Sequence, residues 1–471
     1  MRQHLGPAVL IVARGVSLVK VRFAPSPTGN LHVGNARTAI LNYLYARNQR
    51  GSFIVRMEDT DMERSDVKYE TSIMDDLKWL GITWDEGPYR QSERIDLYRA
   101  HAQNLLDKGA AYKCFCSKDR LEAMKKASLD KGEPPRYDGT CRELPRAATE
   151  RLEAEGAPYV VRFKTQRKPV TFKDGIRGDI HFPPDHVDDF ILLKQELTPS
   201  YNFAVIIDDV DMGITHVIRG ADHISNTPKQ IMLCEALRKK PPRYAHHSLL
   251  VGKDKKPLSK RHGATRVGEF RDMGILRAAL FNYIAVIGRS VHREVMDEDD
   301  LIKTFSLKSL SGSDCLFDME KLLWFNKEHM RRMSVEELLV GTGLTADYGD
   351  RVASLRENAR TLGEMKELLD IFDGTDINHE GITYLETMGS AGPIVAGLRK
   401  FLLDGKELTL EEIVNETAGI ANLTRKELFM VLRILITGRV NGPPLKDVFR
   451  LIPRGHILER LQWLDQRLSL H

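Results

Sequence analysis

The stretch from Pro25 to Ala39, PSPTGNLHVGNARTA, constrains the fold of this chain more than any other. The short apolar run before it, Val19 to Phe23, reads as a strand. Beyond the turn, Ala36, Ala39, Ile40, Tyr43 and Leu44 recur at helical spacing, so a buried helix follows. Pro25 and Pro27 stiffen the turn, Thr28 and Asn30 can bond nearby backbone, and Gly29 and Gly34 let a ligand approach the main chain. A loop feeding a helix N-terminus presents unpaired N–H groups, where anions settle. His32 adds a donor there. Read alone, the segment is equally an ordinary strand–turn–helix.

A second segment lies far away in the chain: DKKPLSKRHGA, Asp254 to Ala264. Lys253, Lys255, Lys256, Lys260 and Arg261 crowd around Ser259, and Gly263 closes the run. By itself this is a solvated surface loop. Together the two segments resemble the HIGH and KMSKS signatures of class I aminoacyl-tRNA synthetases, here HVGN (His32–Asn35) and PLSKR (Pro257–Arg261). The wider wording, RFAPSPTG, RMEDTD, YRQSER, DDVDMGITHVIRG and LSKRHGA, is similar to that of the bacterial glutamate–tRNA ligase family. The likeness runs from Val19 to about Trp324 and thins toward the C-terminus.

At 471 residues the chain is too long for one core, and several domains are expected. Its 70 basic and 66 acidic residues leave a net charge of only +4, so an RNA-binding surface must come from local clustering. No apolar run approaches the roughly 18–20 residues that span a bilayer. Pro7 to Ala13 is apolar and flanked by Arg2 and Arg14, but the first strand starts so soon after it that a disordered extension or over-long start is expected, not a targeting peptide. Five cysteines form no disulfide framework, and a reducing cytoplasm is the expected compartment.

From Val19 to Arg90 the pattern is strand, helix, strand, helix. Ser52–Met57 alternates and delivers EDTD at a strand end, Asp66–Gly81 is amphipathic, and Ile95–Lys108 is a helix stopped by Gly109. Short β-type runs follow, Tyr159–Thr165, Val170–Lys173 and Phe190–Leu193. FAVIIDD, after Tyr201, is expected to be a continuous apolar strand ending in carboxylates, ITHVIRG a second strand, and Pro228–Leu237 the helix behind it. The remainder is helical: Ile275–Ile287, Leu316–Phe325, Val335–Leu339, Asp350–Phe372, Pro393–Leu403, Thr409–Leu423 and Lys426–Ile436. The resemblance implies an α/β Rossmann-type catalytic domain split by an α+β insertion and followed by an all-α anticodon-binding region. On that plan 1–17 is the extension, 18–92 and 198–253 the two halves of the catalytic domain, and 93–197 the acceptor-stem-binding insertion. Residues 254–325 are then the KMSKS loop and stem-contact region, and 326–471 the anticodon-binding region.

By residue type, Arg22 at the first strand end can grip a carboxylate with two parallel hydrogen bonds, or form an ion pair with a nearby EDTD acid. The resemblance assigns Arg22 to the side-chain carboxylate of L-glutamate and Glu58 to the α-ammonium. Ala24 and Ser26 line that corner, and Tyr201 and Arg219 match from the second half. The resemblance also implies ATP as co-substrate with Mg²⁺ held mainly by pyrophosphate, tRNA(Glu) as acceptor, a monomer, and a need for bound tRNA before glutamate is activated. His32, Gly34, Asn35, Ser259, Lys260, Arg261, Asp222 and His223 would form the ATP site, with Lys260 the main phosphate ligand. Two positions depart from the class pattern: Asn35 replaces a second histidine, and Pro257 replaces a lysine. Whether tRNA(Gln) is also charged is left open.

Cys114, Cys116 and Cys141, followed by Glu143, resemble the zinc site of some members of this family. Thiolates and a carboxylate can close a tetrahedral site. Glu143 is the expected fourth ligand, Tyr137 the alternative; buried reduced cysteines without metal are the competing reading. Cys234 and Cys315 read as core. A small-molecule nucleotidyltransferase would not need the long helical C-terminal part, and a shortened tRNA-modifying paralogue would lack it.

Overall fold

The computed structural model describes residues 19–468, apart from 62, 134, 260, 262, 389–390, 405–408 and 419–422. The expected N-terminal extension and Lys260 lie outside the described residues. Two compact units divide the chain: one runs to Val267 and includes Phe281–Phe317, the other comprises Gly268–Leu280 and the chain from Asp318.

In the first unit, β1 (Lys20–Phe23), β2 (Ser52–Met57) and β3 (Glu86–Arg90) form a parallel sheet with β2 in the centre. Helices α1 (Val33–Asn48) and α2 (Val67–Trp79) make the crossovers, and α3 (Ile95–Asp107) follows. Asp66 caps α2 by accepting from the Lys68 amide. β2 does not alternate in burial: Phe53 to Met57 are all buried, as a central parallel strand covered on both faces requires.

The insertion holds β4 (Ala111–Cys114), α4 (Lys118–Asp130), α5 (Arg146–Ala154), β5 (Val160–Phe163), β6 (Val170–Asp174), β7 (Gly178–Phe182) and β8 (Ile191–Leu193). β4, β5 and β8 form an antiparallel sheet, and β6 and β7 a hairpin. The chain then returns through α6 (Tyr201–Asp211), β9 (His216–Gly220), α7 (Thr227–Ala236) and β10 (Arg243–His247). β9 and β10 pair in parallel. Thr215 donates its amide to the Lys20 carbonyl at 2.9 Å, setting the start of β9 beside β1. With β2 on one flank of β1 and β9 on the other, chain order reverses at β1, and the crevice above the strand ends is a ligand position.

One expectation is overturned here. FAVIIDD is not a strand but the body of α6. A continuous apolar run fits a buried helix as well as a buried strand, and Phe203 to Asp209 are buried on every side of α6. The parallel strand pair of this half is β9 and β10.

The second unit is helical and packs one core around Phe372, Leu398, Val431, Ile434 and Leu461. The helix Arg425–Thr437 has a capping box from Thr424 and Glu427 and ends on left-handed Gly438. The expected helix Asp350–Phe372 breaks after Leu355 and restarts at Leu362, where Thr361 caps the new N-terminus. The helix expected from Leu316 begins only at Met319, where Asp318 caps it. Cys315–Leu316, in the first unit, is instead a short strand paired with Leu250–Val251.

Candidate active site

A pocket of about 450 Å³ opens at this crevice. β1 and its turn deliver Arg22, Ala24 and Ser26, the end of β2 delivers Glu58, and α6 starts there with Tyr201. The end of β9 brings Arg219, and the 3-10 turn after it brings Asp222 and His223. The opening turn of α1 contributes His32, Gly34 and Asn35. All these sequence-predicted positions line one cavity.

His32 is the N-cap of α1, its Nδ1 accepting from the Gly34 amide at 3.2 Å. That bond places the ring proton on Nε2, making it a donor. The second signature is fastened to the first through backbone: Val33 donates to the Thr265 carbonyl, and Val267 donates to that of Leu31. Pro257 and Leu258 line the pocket, whereas Ser259 and Arg261 are not among its lining residues. Arg261 pairs with Asp254 at 3.0 Å.

Beneath Glu58 lies a buried ion cluster. Arg22 donates from Nε to Asp209 at 3.2 Å, so its protein partner comes from α6, not from EDTD. Arg56 donates to Asp209 at 2.8 Å and reaches Glu58 at 3.5 Å. Burial pushes the Glu58 carboxyl up to about 7, against the opposing pull of Arg56 and Arg22. Burial also opposes ionisation of Asp209, but Arg22 and Arg56 win and hold its pKa below the ordinary value. The neighbouring Asp208 accepts from Arg94 and from the Tyr98 hydroxyl. Burial lowers His223 to about 4, so its ring is neutral where Nδ1 meets the Tyr201 hydroxyl at 3.2 Å.

Sequence reasoning missed Asp209 as the partner of Arg22, and it missed Arg37. Arg37 lines the pocket, is fully buried, and donates from Nη2 to the Ile287 carbonyl at 2.9 Å. Its available signal was a charge between Ala36 and Ala39 on the buried face of α1.

Residues 18–324 match the model for the catalytic domain of class I tRNA synthetases (E and Q), and residues 319–464 match an anticodon binding domain. The chain is 39% identical to glutamate–tRNA ligase 1 of Caldicellulosiruptor saccharolyticus, covering 94% of this chain and 98% of that one. This chain belongs to the glutamate–tRNA ligase family. It is therefore an aminoacyl-tRNA ligase, with a class I catalytic domain and a C-terminal helical anticodon domain. The glutamate–tRNA ligase of Carboxydothermus hydrogenoformans is 41% identical over 92% of this chain and 97% of its own. A glutamate tRNA ligase from Elizabethkingia meningosepticum, solved in complex with its amino acid, superposes with a TM-score of 0.81 at 29% identity, covering 94% of this chain and 98% of that one.

The ligase's insertion also gathers Cys114, Cys116 and Cys141, whose sulfur atoms all lie within 4.8 Å of one another. The Tyr137 hydroxyl stands 3.3 Å from the Cys114 sulfur and 3.5 Å from that of Cys116. The Arg162 guanidinium covers the Tyr137 ring at 4.1 Å. Glu143 lies elsewhere: its carboxylate is 75% exposed and engages Lys164 at 3.1 Å. Among the described residues no helix is long and apolar enough to cross a membrane.

Proposed function

We propose that this ligase activates L-glutamate with ATP and transfers it to the terminal adenosine of tRNA(Glu), acting as a monomer in the cytoplasm. The observation that carries the choice of amino acid is the pairing of two buried arginines, Arg22 and Arg219, with one buried acid, Glu58, around a single pocket. At the end of the pocket built by β1, β2 and β9, two arginines and one carboxyl group complement an amino acid that carries a second carboxylate; Arg37 lies apart on α1. With Nε of Arg22 taken by Asp209, its Nη groups are the donors for the side-chain carboxylate, while Glu58 receives the ammonium. Glutamine would leave a desolvated arginine without its charged partner, which a site of this kind rejects by about 10⁴–10⁵-fold.

A glutamate carboxylate oxygen then attacks the α-phosphorus of ATP, the bond to the β-phosphate oxygen breaks, and pyrophosphate departs. In the second step the 2′-hydroxyl of the tRNA terminus attacks the acyl carbon of the adenylate and AMP leaves. No protein nucleophile is needed; the chain supplies position and countercharge. His32 Nε2–H and the opening amides of α1 face the phosphates, Lys260 neutralises the leaving pyrophosphate, and Asp222 and His223 border the adenosine. Mg²⁺, bound mainly by pyrophosphate oxygens, supplies further charge neutralisation. Ser259 and Arg261 act by shaping the loop that carries Lys260.

Residues 93–197 take the acceptor stem and 326–471 read the anticodon. A groove of about 760 Å³ in the second unit supports the latter role. Apolar Val414, Phe429 and Leu445 line it together with basic Arg425, Lys426 and Arg433. An aromatic face beside cations suits an unstacked base and its phosphate. In the insertion, Cys114, Cys116 and Cys141 with the Tyr137 oxygen fit a structural Zn²⁺ that would hold the cysteine segments together.

ATP–pyrophosphate exchange dependent on both glutamate and tRNA tests the reading, followed by charging of purified tRNA(Glu). Exchange driven equally by glutamine, or by glutamate with no tRNA of either kind accepting it, would overturn the assignment.

A further inference from the structure

Arg219 is 4% exposed and makes no ion pair with any described carboxylate. Three groups accept its hydrogen bonds, and the Tyr244 ring lies 5.4 Å from its guanidinium carbon. Its Nε donates to His246 Nε2 at 3.1 Å, and its Nη2 donates to Thr227 Oγ1 at 2.9 Å and to the His223 carbonyl at 3.3 Å. Nη1 is buried and has no hydrogen-bond partner among the described residues. A buried guanidinium N–H without an acceptor is costly, and Arg219 borders the amino-acid pocket.

For His246 to accept from Arg219 at Nε2, its proton must sit on Nδ1. Asp174 fixes that proton: its Oδ2 stands 2.6 Å from His246 Nδ1. Asp174 belongs to the insertion, at the end of β6, where the β6–β7 turn packs on β10. Its carboxylate also accepts from the amides of Ile176, Arg177 and His246. Gly175 allows this seat, since a Cβ there would lie 3.3 Å from the Ala245 Cβ. Asp174 is 3% exposed and His246 is fully buried. Burial keeps His246 neutral, lowering its pKa against the pull of Asp174.

We infer that Asp174 is a positioning residue for the amino-acid site: through the tautomer of His246 it locks Arg219 so that Nη1 is presented to a substrate carboxylate. The catalytic domain thus borrows its pocket geometry from the inserted domain. This rests on the reading that the pocket takes an anionic amino acid. An asparagine at 174 keeps the size, but the Ile176 and Arg177 amides claim its one acceptor oxygen and turn its NH2 toward His246 Nδ1. The imidazole then carries its proton on Nε2, and Arg219 loses its Nε acceptor.

The test is a double-mutant cycle on the full chain, with Asp174→Asn, Arg219→Gln and the double variant assayed by pyrophosphate exchange in the presence of tRNA. Loss of one charge-linked hydrogen bond predicts a glutamate KM about tenfold higher for Asp174→Asn, with kcat and the KM for ATP nearly unchanged. Arg219→Gln should raise the glutamate KM further, and adding Asp174→Asn to it should do nothing more. His246→Gln, whose amide oxygen can accept from Arg219 without help, should be affected less than His246→Leu. Independent, multiplying effects in the double variant would overturn the relay, as would a parallel loss in glutamate and ATP parameters. If Arg219→Gln itself leaves the glutamate KM unchanged, the pocket assignment fails instead.

Discussion

Val33 donates its amide to the carbonyl of Thr265 at 2.9 Å. These residues stand at the opening of α1 and just beyond the lysine-rich loop, so main chain fastens the two signature segments. His32 and Arg266 face each other as a bridge pair, and Val251 pairs with Pro257 before the loop. The described residues before and after the lysine-rich segment are thereby tethered, the later ones beside the first turn of α1. This brings segments so distant in sequence to one side of the pocket.

The first prediction follows from His32 doing two jobs, as cap and as donor. Asparagine is itself a good N-cap, so His32→Asn should preserve the helix while removing the imidazole. Adenylation kcat should drop about 10²-fold, in line with loss of one preorganised donor, with little change in Tm. Lys260→Ala should act on the same step. A Tm loss matching the activity loss in His32→Asn would show the ring to be structural.

Arg22 and Arg56 share Asp209 but are expected to fail differently. Arg22→Gln leaves Asp209 still bound by Arg56 at 2.8 Å, so the fold survives. Glutamate kcat/KM should fall by about 10³-fold or more. Arg56→Gln leaves Asp209 with Arg22 alone and takes the arginine contact from buried Glu58, and removing one partner from such a buried set destabilises by about 3–5 kcal/mol. Urea unfolding of the two variants, set against their exchange kinetics, separates the roles.

Glu58 makes the pocket sensitive to pH. Its folded pKa, pushed up to about 7 by burial, lies above that of the unfolded chain, so the folded state holds the extra proton. Its favourable contribution is complete below the unfolded value and is lost as pH rises toward 7, a change of roughly 3 kcal/mol. Glu58→Gln should therefore gain stability relative to the parent between pH 5 and pH 8. Substrate binding has the opposite sense, because an ammonium beside Glu58 expels that proton. The glutamate KM of the parent should rise about tenfold from pH 8 to pH 6, and that of Glu58→Gln should be high and flat. A parent KM independent of pH would remove Glu58 from the ammonium site.

Much of the pocket's lining was legible because its residues sit on short local motifs that resemble those of a known family. The HVGN turn, Arg22, Glu58 and Arg219 all emerged from strand ends and turns that the chain writes contiguously. Asp209 was not legible as the partner of Arg22, since an apolar run ending in acids gives the same pattern for strand and helix. In α6, Asp208 accepts from Arg94 and Tyr98 while Asp209 accepts from Arg22 and Arg56. Asp174 and His246 were invisible for another reason: their contact joins the insertion to the catalytic sheet, and nothing local in either segment requires it. The break at Thr361 shows the same limit on a smaller scale, because a cap outweighs the apolar spacing that runs across it.

The cysteine cluster yields the last prediction, which separates two fourth ligands. Glu143 is engaged with Lys164 at the surface, whereas the Tyr137 oxygen already lies among the sulfurs. Against burial, hydrogen bonding with Tyr137, the Cys116 amide and Arg162 holds the Cys114 thiol below its ordinary pKa, while burial pushes that of Cys116 up to about 11, so metal binding has to expel its proton. Protein purified without chelator should carry one Zn²⁺ per chain by elemental analysis. Glu143→Gln should retain it fully, Tyr137→Phe should lose it much faster to a competing chelator, and Cys141→Ser should not retain it. Metal loss should loosen the segment from Cys114 to Cys141, read as faster proteolysis there, while glutamate KM changes little. Retention by Tyr137→Phe together with loss in Glu143→Gln would return the fourth position to the carboxylate and require Glu143 to leave Lys164.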